Sequence, residues 1–149
     1  MAKFKFRLAT LLRLREATRG DRRTQLAQAY RADEIIQQQQ DQLQQELEKV
    51  ARQNRRTSAP GPVDVDRLLE GQRYEVALRT QQSHARGQRE AVAAEIERRR
   101  EALVQANRGV RVLEELRQKQ AQRHRQEENR LEIKQLDDVT QRRGAEEDA

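Results

Sequence analysis

Apolar side chains recur at alternating three- and four-residue steps through most of this chain. Positions 8, 15, 22, 29, 36, 43 and 50 read Leu8, Arg15, Arg22, Ala29, Ile36, Leu43 and Val50, with Leu12, Leu26 and Leu47 at the partner positions. A second series, Leu78, Ala85, Val92, Arg99, Ala106 and Leu113, has Leu68, Ile96, Leu103 and Val110 as partners. A stripe repeating every ~3.5 residues lies along one side of a helix and implies a left-handed coiled coil. Between the series stands one strong breaker, TSAPGPVD at residues 57–64. Pro60 lacks a backbone donor and disfavours helix in the residue before it. Gly61 gives the freedom for a turn, Asp64 suits an N-cap, and Asp66 faces the positive dipole end. The pattern therefore predicts helix one over about 5–56, a turn at 57–63, helix two over about 64–142 and an acidic tail at 144–149, each bound good to ±2–4 residues.

A short connection makes long helices antiparallel neighbours. The expected fold is all-α: a single-domain, two-helix antiparallel coiled-coil hairpin, the second helix longer than the first. Folding at the Pro-Gly-Pro turn places positions that sum to about 121 opposite one another. That pairs Leu43 with Leu78, Ile36 with Ala85, Ala29 with Val92 and Leu8 with Leu113, and it sets Arg22 against Arg99. A slip of half a heptad is the alternative register. Phe4 and Phe6 then lie level with about residues 115–117, and helix two continues alone for roughly 25 residues, near 40 Å at ~1.5 Å per residue. That stretch keeps Leu116, Leu131, Ile133, Leu136 and Val139 with nowhere to bury them, so it frays or takes a partner.

Composition supports helices over a globular core. Of the 149 residues 34% are hydrophobic, 38% charged and 3% aromatic, against about 45–50% apolar and about 25% charged in ordinary domains. The two prolines stand together at the turn, whereas a disordered chain scatters its breakers. Cysteine is absent, so no disulfide framework or thiolate site is expected. No apolar run reaches the ~18 residues a spanning helix needs. The start lacks the continuous apolar stretch and small-residue cleavage site of a secretory signal.

The net charge is +6, and residues 1–23 carry 8 Lys/Arg against 2 Asp/Glu, so the excess is local. Elsewhere Arg alternates with Glu and Gln, the mark of a solvated helix face; nucleic-acid binding is not expected. A basic amphipathic foot on anionic lipid, through Phe4, Phe6, Leu8, Leu11 and Leu12, is an alternative of similar weight. Catalytic constellations are absent from the sequence. The glycines are isolated, so there is no phosphate-binding loop. His84 and His124 read as solvated surface histidines, and the pairs Glu127–Glu128 and Asp137–Asp138 have no pocket to tune them. No enzyme, cofactor or metal is expected.

Three stretches carry a resemblance to a known family. The start, KFKFRLATLLRLRE, resembles that of FliJ flagellar export proteins, where a basic Phe-x-Phe segment leads into Leu-Leu-x-Leu-Arg. DRLLEGQRYEVALR is similar to their aromatic-x-x-x-Leu stretch, giving Tyr74 and Leu78. LEELRQKQ and EENRLEIKQLDD resemble their charged C-terminal helix, with Asp138 where Glu is common. The Gln tract at 37–45 and the firm Pro-Gly-Pro break depart from the pattern. The resemblance covers nearly the whole chain.

It implies a non-enzymatic cytoplasmic component of the type III flagellar export apparatus, peripheral at the inner face of the cell membrane. Members are stalk-like antiparallel coiled coils. They bind the hexameric export ATPase and promote its ring assembly, contact the membrane export gate and handle export chaperones. By position, Tyr74 and Leu78 match the gate-contacting stretch. The helix ends match the part that enters the ATPase ring, which puts Phe4, Phe6, Leu11, Arg13, Arg123, Arg130 and Lys134 at that contact. A generic structural coiled coil is the runner-up.

Overall fold

The computed structural model describes residues 3–148; Met1, Ala2 and Ala149, the last of the expected acidic tail, lie outside the described residues. Two helices form, α1 over Ala9–Thr57 and α2 over Val65–Glu147, the second longer. The chain is all-α, with the organisation of a two-helix coiled-coil hairpin. Helix α1 starts at Ala9 rather than near residue 5. Residues 3–6 are not helical, and the first turn closes with Ala9 N donating to Phe6 O at 3.2 Å and Leu12 N to Leu8 O at 2.9 Å. Helix α2 runs past the expected end near 142 and takes in Gly144.

The turn follows its residues. Ser58 N donates to Asn54 O at 3.0 Å and closes α1. Gly61 has φ of 144°, a conformation that side chains with a Cβ rarely adopt. Asp64 caps α2: its Oδ1 accepts from Asp66 N at 3.2 Å and Arg67 N at 3.4 Å, which satisfies donors a helix start leaves unpaired.

The chain divides into two compact units, residues 22–103 and residues 1–21 with 104–149. In the first, α1 runs antiparallel to α2 and the seam is largely polar. Asn54 Nδ2 donates to Glu75 Oε2 at 3.2 Å, Gln82 Nε2 to Gln44 Oε1 at 3.0 Å, and Arg89 Nε to Asp33 Oδ1 at 3.2 Å. Arg89 Nη1 also donates to Gln40 Oε1 at 3.3 Å. Arg99 donates to the Gln25 carbonyl and to Glu95. Ala29, Val50, Leu78, Ala85 and Ile96 are buried between these layers. Gly71 admits Asn54: a Cβ there would overlap Asn54 Oδ1.

These pairs correct the expected register. Cross-helix partners lie beyond those the 121 rule gives, by one residue at Asp33–Arg89, five at Gln44–Gln82 and eight at Asn54–Glu75. The half-heptad slip keeps both apolar stripes in the seam, since an antiparallel pair can face either partner row. It also removes the Arg22–Arg99 clash, because Arg22 turns to Gln25 Oε1 at 3.1 Å. Polar matching decided what the apolar stripe left open. The chain has no cysteine, so Gln44→Cys with Gln82→Cys is expected to cross-link under mild oxidation. Gln44→Cys with Ala77→Cys is expected to stay reduced, and the reverse result on a reducing gel would restore the 121 register.

Glu95 sits between two guanidiniums, which hold its carboxyl below the ordinary carboxylate range by hydrogen bonds from Arg99 and Arg98. A lowered folded-state pKa adds stability above the unfolded value, near 4.3, that is lost as pH falls through the folded one. The group is half-exposed and screened by solvent, so the effect is small. The stability difference between the wild type and Glu95→Gln, read from urea midpoints, is expected to be constant above about pH 5 and to vanish in stronger acid.

In the other unit, Leu12, Val110 and Leu113 form the core, with Val110 at 0% exposure and Phe6 and Leu8 packed against them. Beyond Glu128 every described residue of α2 is exposed. The uncovered stretch thus starts about three turns later than the expected residue 117.

Candidate functional site

The segment before α1 reads Lys3, Phe4, Lys5, Phe6, Arg7, Leu8. Outside a helix, successive side chains of an extended chain point to opposite sides. Phe4, Phe6 and Leu8 are half-buried while Lys3, Lys5 and Arg7 are exposed. The aromatic side fastens onto α2. The Phe4 ring lies 5.7 Å from the His124 ring at an interplanar angle of 39°, and Phe6 packs on the Leu12–Val110–Leu113 core. His124 is therefore no solvated surface histidine: it is half-covered, and its Nε2 lies 3.2 Å from Glu128 Oε1. His84 keeps the expected surface place, 3.2 Å from Gln88 Nε2.

The residues expected at an ATPase contact fall into two groups. Phe4 and Phe6 are fastened to the protein itself. Leu11, Arg13, Arg123, Arg130 and Lys134 are exposed, and all seven lie in the terminal unit. Past Arg130 the helix exposes Leu131, Ile133, Leu136 and Val139, Leu136 at 66%. Leu14, at 62%, was not singled out by the sequence reading; it lies one turn from Leu11 and outside the heptad rows, which was the available signal. The Lys-Phe-Lys-Phe-Arg-Leu alternation was the signal for an extended segment where a helix had been expected.

In the unit of residues 22–103, Tyr74 is exposed at 49% and Leu78 is buried at 4%. A shallow groove beside them is lined by Leu43, Glu46, Tyr74, Leu78, His84 and Ala85. Tyr74 stands at the surface, whereas Leu78 fills the seam. Among the described residues no group of three or more His, Cys, Asp or Glu is placed to hold a metal ion, and no helix is long and apolar enough to cross a membrane.

What these residues present is surface: a helical hairpin with one polar seam, one apolar terminal core and uncovered apolar and basic side chains beside it. That defines a coiled-coil protein of the binding or scaffolding kind. The family model described as Flagellar FliJ protein matches residues 4–148, nearly the whole chain. The chain belongs to the FliJ family and is a structural component of the flagellar export apparatus. No curated protein and no solved structure matches it.

Proposed function

We propose that this chain is a coiled-coil stalk that binds the hexameric export ATPase and promotes assembly of its ring. In this reading it links the ATPase to the membrane export gate through the Tyr74 face, handles export chaperones, and works in the cytoplasm at the inner face of the cell membrane. The observation that carries the reading is the bare end of α2. Residues 129–147 are exposed on every side, yet they hold four large apolar residues. An isolated helix of this length is marginal in water, so a partner that covers those side chains gains both their burial and an ordered helix. Leu11 and Arg13 on α1, with Arg123, Arg130 and Lys134 on α2, frame the same end. At the gate contact Tyr74 touches the partner and Leu78 holds the backbone beneath it.

The test is ATP hydrolysis by the cognate export ATPase with and without this protein, alongside light scattering for ring assembly. Stimulated turnover with new hexamers is expected. Arg13→Glu with Arg123→Glu, both exposed and outside the core, is expected to weaken stimulation at least tenfold without changing helicity. Unchanged turnover at saturating protein would sink the stalk reading.

A further inference from the structure

We infer that the outer side of the segment from Lys3 to Arg19 is a binding surface for anionic lipid headgroups, so that the protein meets the membrane directly. The inference does not rest on the ATPase reading.

The first observation is where the cations point. Lys3, Lys5 and Arg7 stand on the side of the extended segment that α2 leaves uncovered, and Arg13 and Arg15 are exposed on the first turns of α1. The second is what they lack. Farther along the chain, seven arginines, Arg67, Arg79, Arg89, Arg98, Arg99, Arg100 and Arg111, each bridge a carboxylate. Among the described residues none of Lys3, Lys5, Arg7, Arg13, Arg15 or Arg19 is in a salt bridge, and only Glu16 and Asp21 are acidic within residues 3–23. Third, their placement opposes helix stability. A helix start favours anions, and the first turn of α1 has no acidic residue while Arg7 and Arg13 crowd it. An anionic partner relieves both the mutual repulsion and the clash with the dipole.

The apolar residues on this side decide among anionic partners. Leu11 and Leu14, one turn apart, are exposed among the cations, at 37% and 62%. A nucleic acid backbone has no use for two leucines between its phosphate contacts, whereas a lipid surface takes headgroups and short apolar insertions together. The lipid foot weighed from sequence thus changes composition: Phe4, Phe6, Leu8 and Leu12 are turned into the protein, and Leu11 and Leu14 remain to meet the bilayer. So small an apolar area makes the attachment mainly electrostatic, hence reversible and salt-sensitive.

The experiment is flotation of the full chain with vesicles of phosphatidylcholine containing 30 mol%, about a third, of phosphatidylglycerol, against pure phosphatidylcholine. Binding is expected with the anionic vesicles alone, falling at least tenfold as salt rises from about 0.05 to about 0.5 M. Arg7→Glu with Arg13→Glu is expected to weaken it by a similar factor while circular dichroism stays unchanged. The chain has no tryptophan, so Leu14→Trp reports directly: its emission is expected to shift to the blue with anionic vesicles, while a Leu136→Trp reporter on the far part of α2 does not respond. Three results overturn the inference: no preference for anionic vesicles, equal binding by the charge-reversed variant, or binding to a short DNA duplex at salt where vesicles are not bound.

Discussion

Leu12→Asp is expected to open the terminal unit and leave the other in place. Leu12 is one of three buried residues in that core, and beside it Val110 is wholly enclosed. An aspartate there loses the leucine's burial and leaves a charge with no partner, together about 3–5 kcal/mol. Hydrogen exchange is the measurement. Amides of residues 9–20 and 104–124 are expected to lose protection, while those of 22–103 keep theirs through their own seam contacts. Leu12→Ala, at about 2–3 kcal/mol, gives the same pattern more weakly. A uniform loss along the chain would mean that the two contact clusters do not open independently.

Removing the chain after Arg130 is expected to have the opposite profile. The described residues among those deleted are all exposed, and there the Thr140 hydroxyl donates to the Leu136 carbonyl within the same helix. The melting temperature is expected to move by no more than about 2 °C, since exposed positions contribute little. Stimulation of the export ATPase, in contrast, is expected to fall more than tenfold, because the truncation removes the four exposed apolar residues that follow Arg130. A truncated protein that stimulates as well as the full chain would place the contact elsewhere, with the α1 start as the remaining candidate.

The helices were legible because heptad rows and a lone Pro-Gly-Pro break leave few alternatives. The register was not. Leu43, Ile36 and Ala29 fit equally well against either row of α2, so an apolar stripe read by itself cannot fix the alignment. The information lay in polar residues such as Asp33, Gln40, Asn54, Glu75 and Arg89, which stand seven residues from Leu26, Leu47, Leu68 and Ile96 on the partner rows but carry no apolar signal by which to align them. At the site, Tyr74, Arg13 and Arg130, expected at partner contacts, stand exposed. Leu78 was not separable from Tyr74 by sequence, since both lie in the same motif and only the seam turns one inward. Phe6 was placed in the first turn of a helix, with Phe4 just before it, because a helical run follows. Their alternation with Lys3, Lys5 and Arg7 spoke for an extended segment, but the pairing of Phe4 with His124 joins residues too far apart in sequence to be foreseen.

The polar layers of residues 22–103 act as a parity check on alignment. A sideways step of one heptad returns every leucine to an apolar row, so the hydrophobic pattern does not register the error. The polar layers do, because no two adjacent ones are chemically alike: an amide with a carboxylate at Asn54–Glu75, amide with amide at Gln44–Gln82, a carboxylate with a guanidinium at Asp33–Arg89. Stepped one way, Asp33 comes level with Ile96. Stepped the other way, Arg89 comes level with Leu26 and Asn54 with Leu68. Either misalignment sets a charge against a hydrocarbon. Partial slippage therefore has no foothold: this stretch holds one alignment or separates, and it can pass a displacement along its axis without losing count.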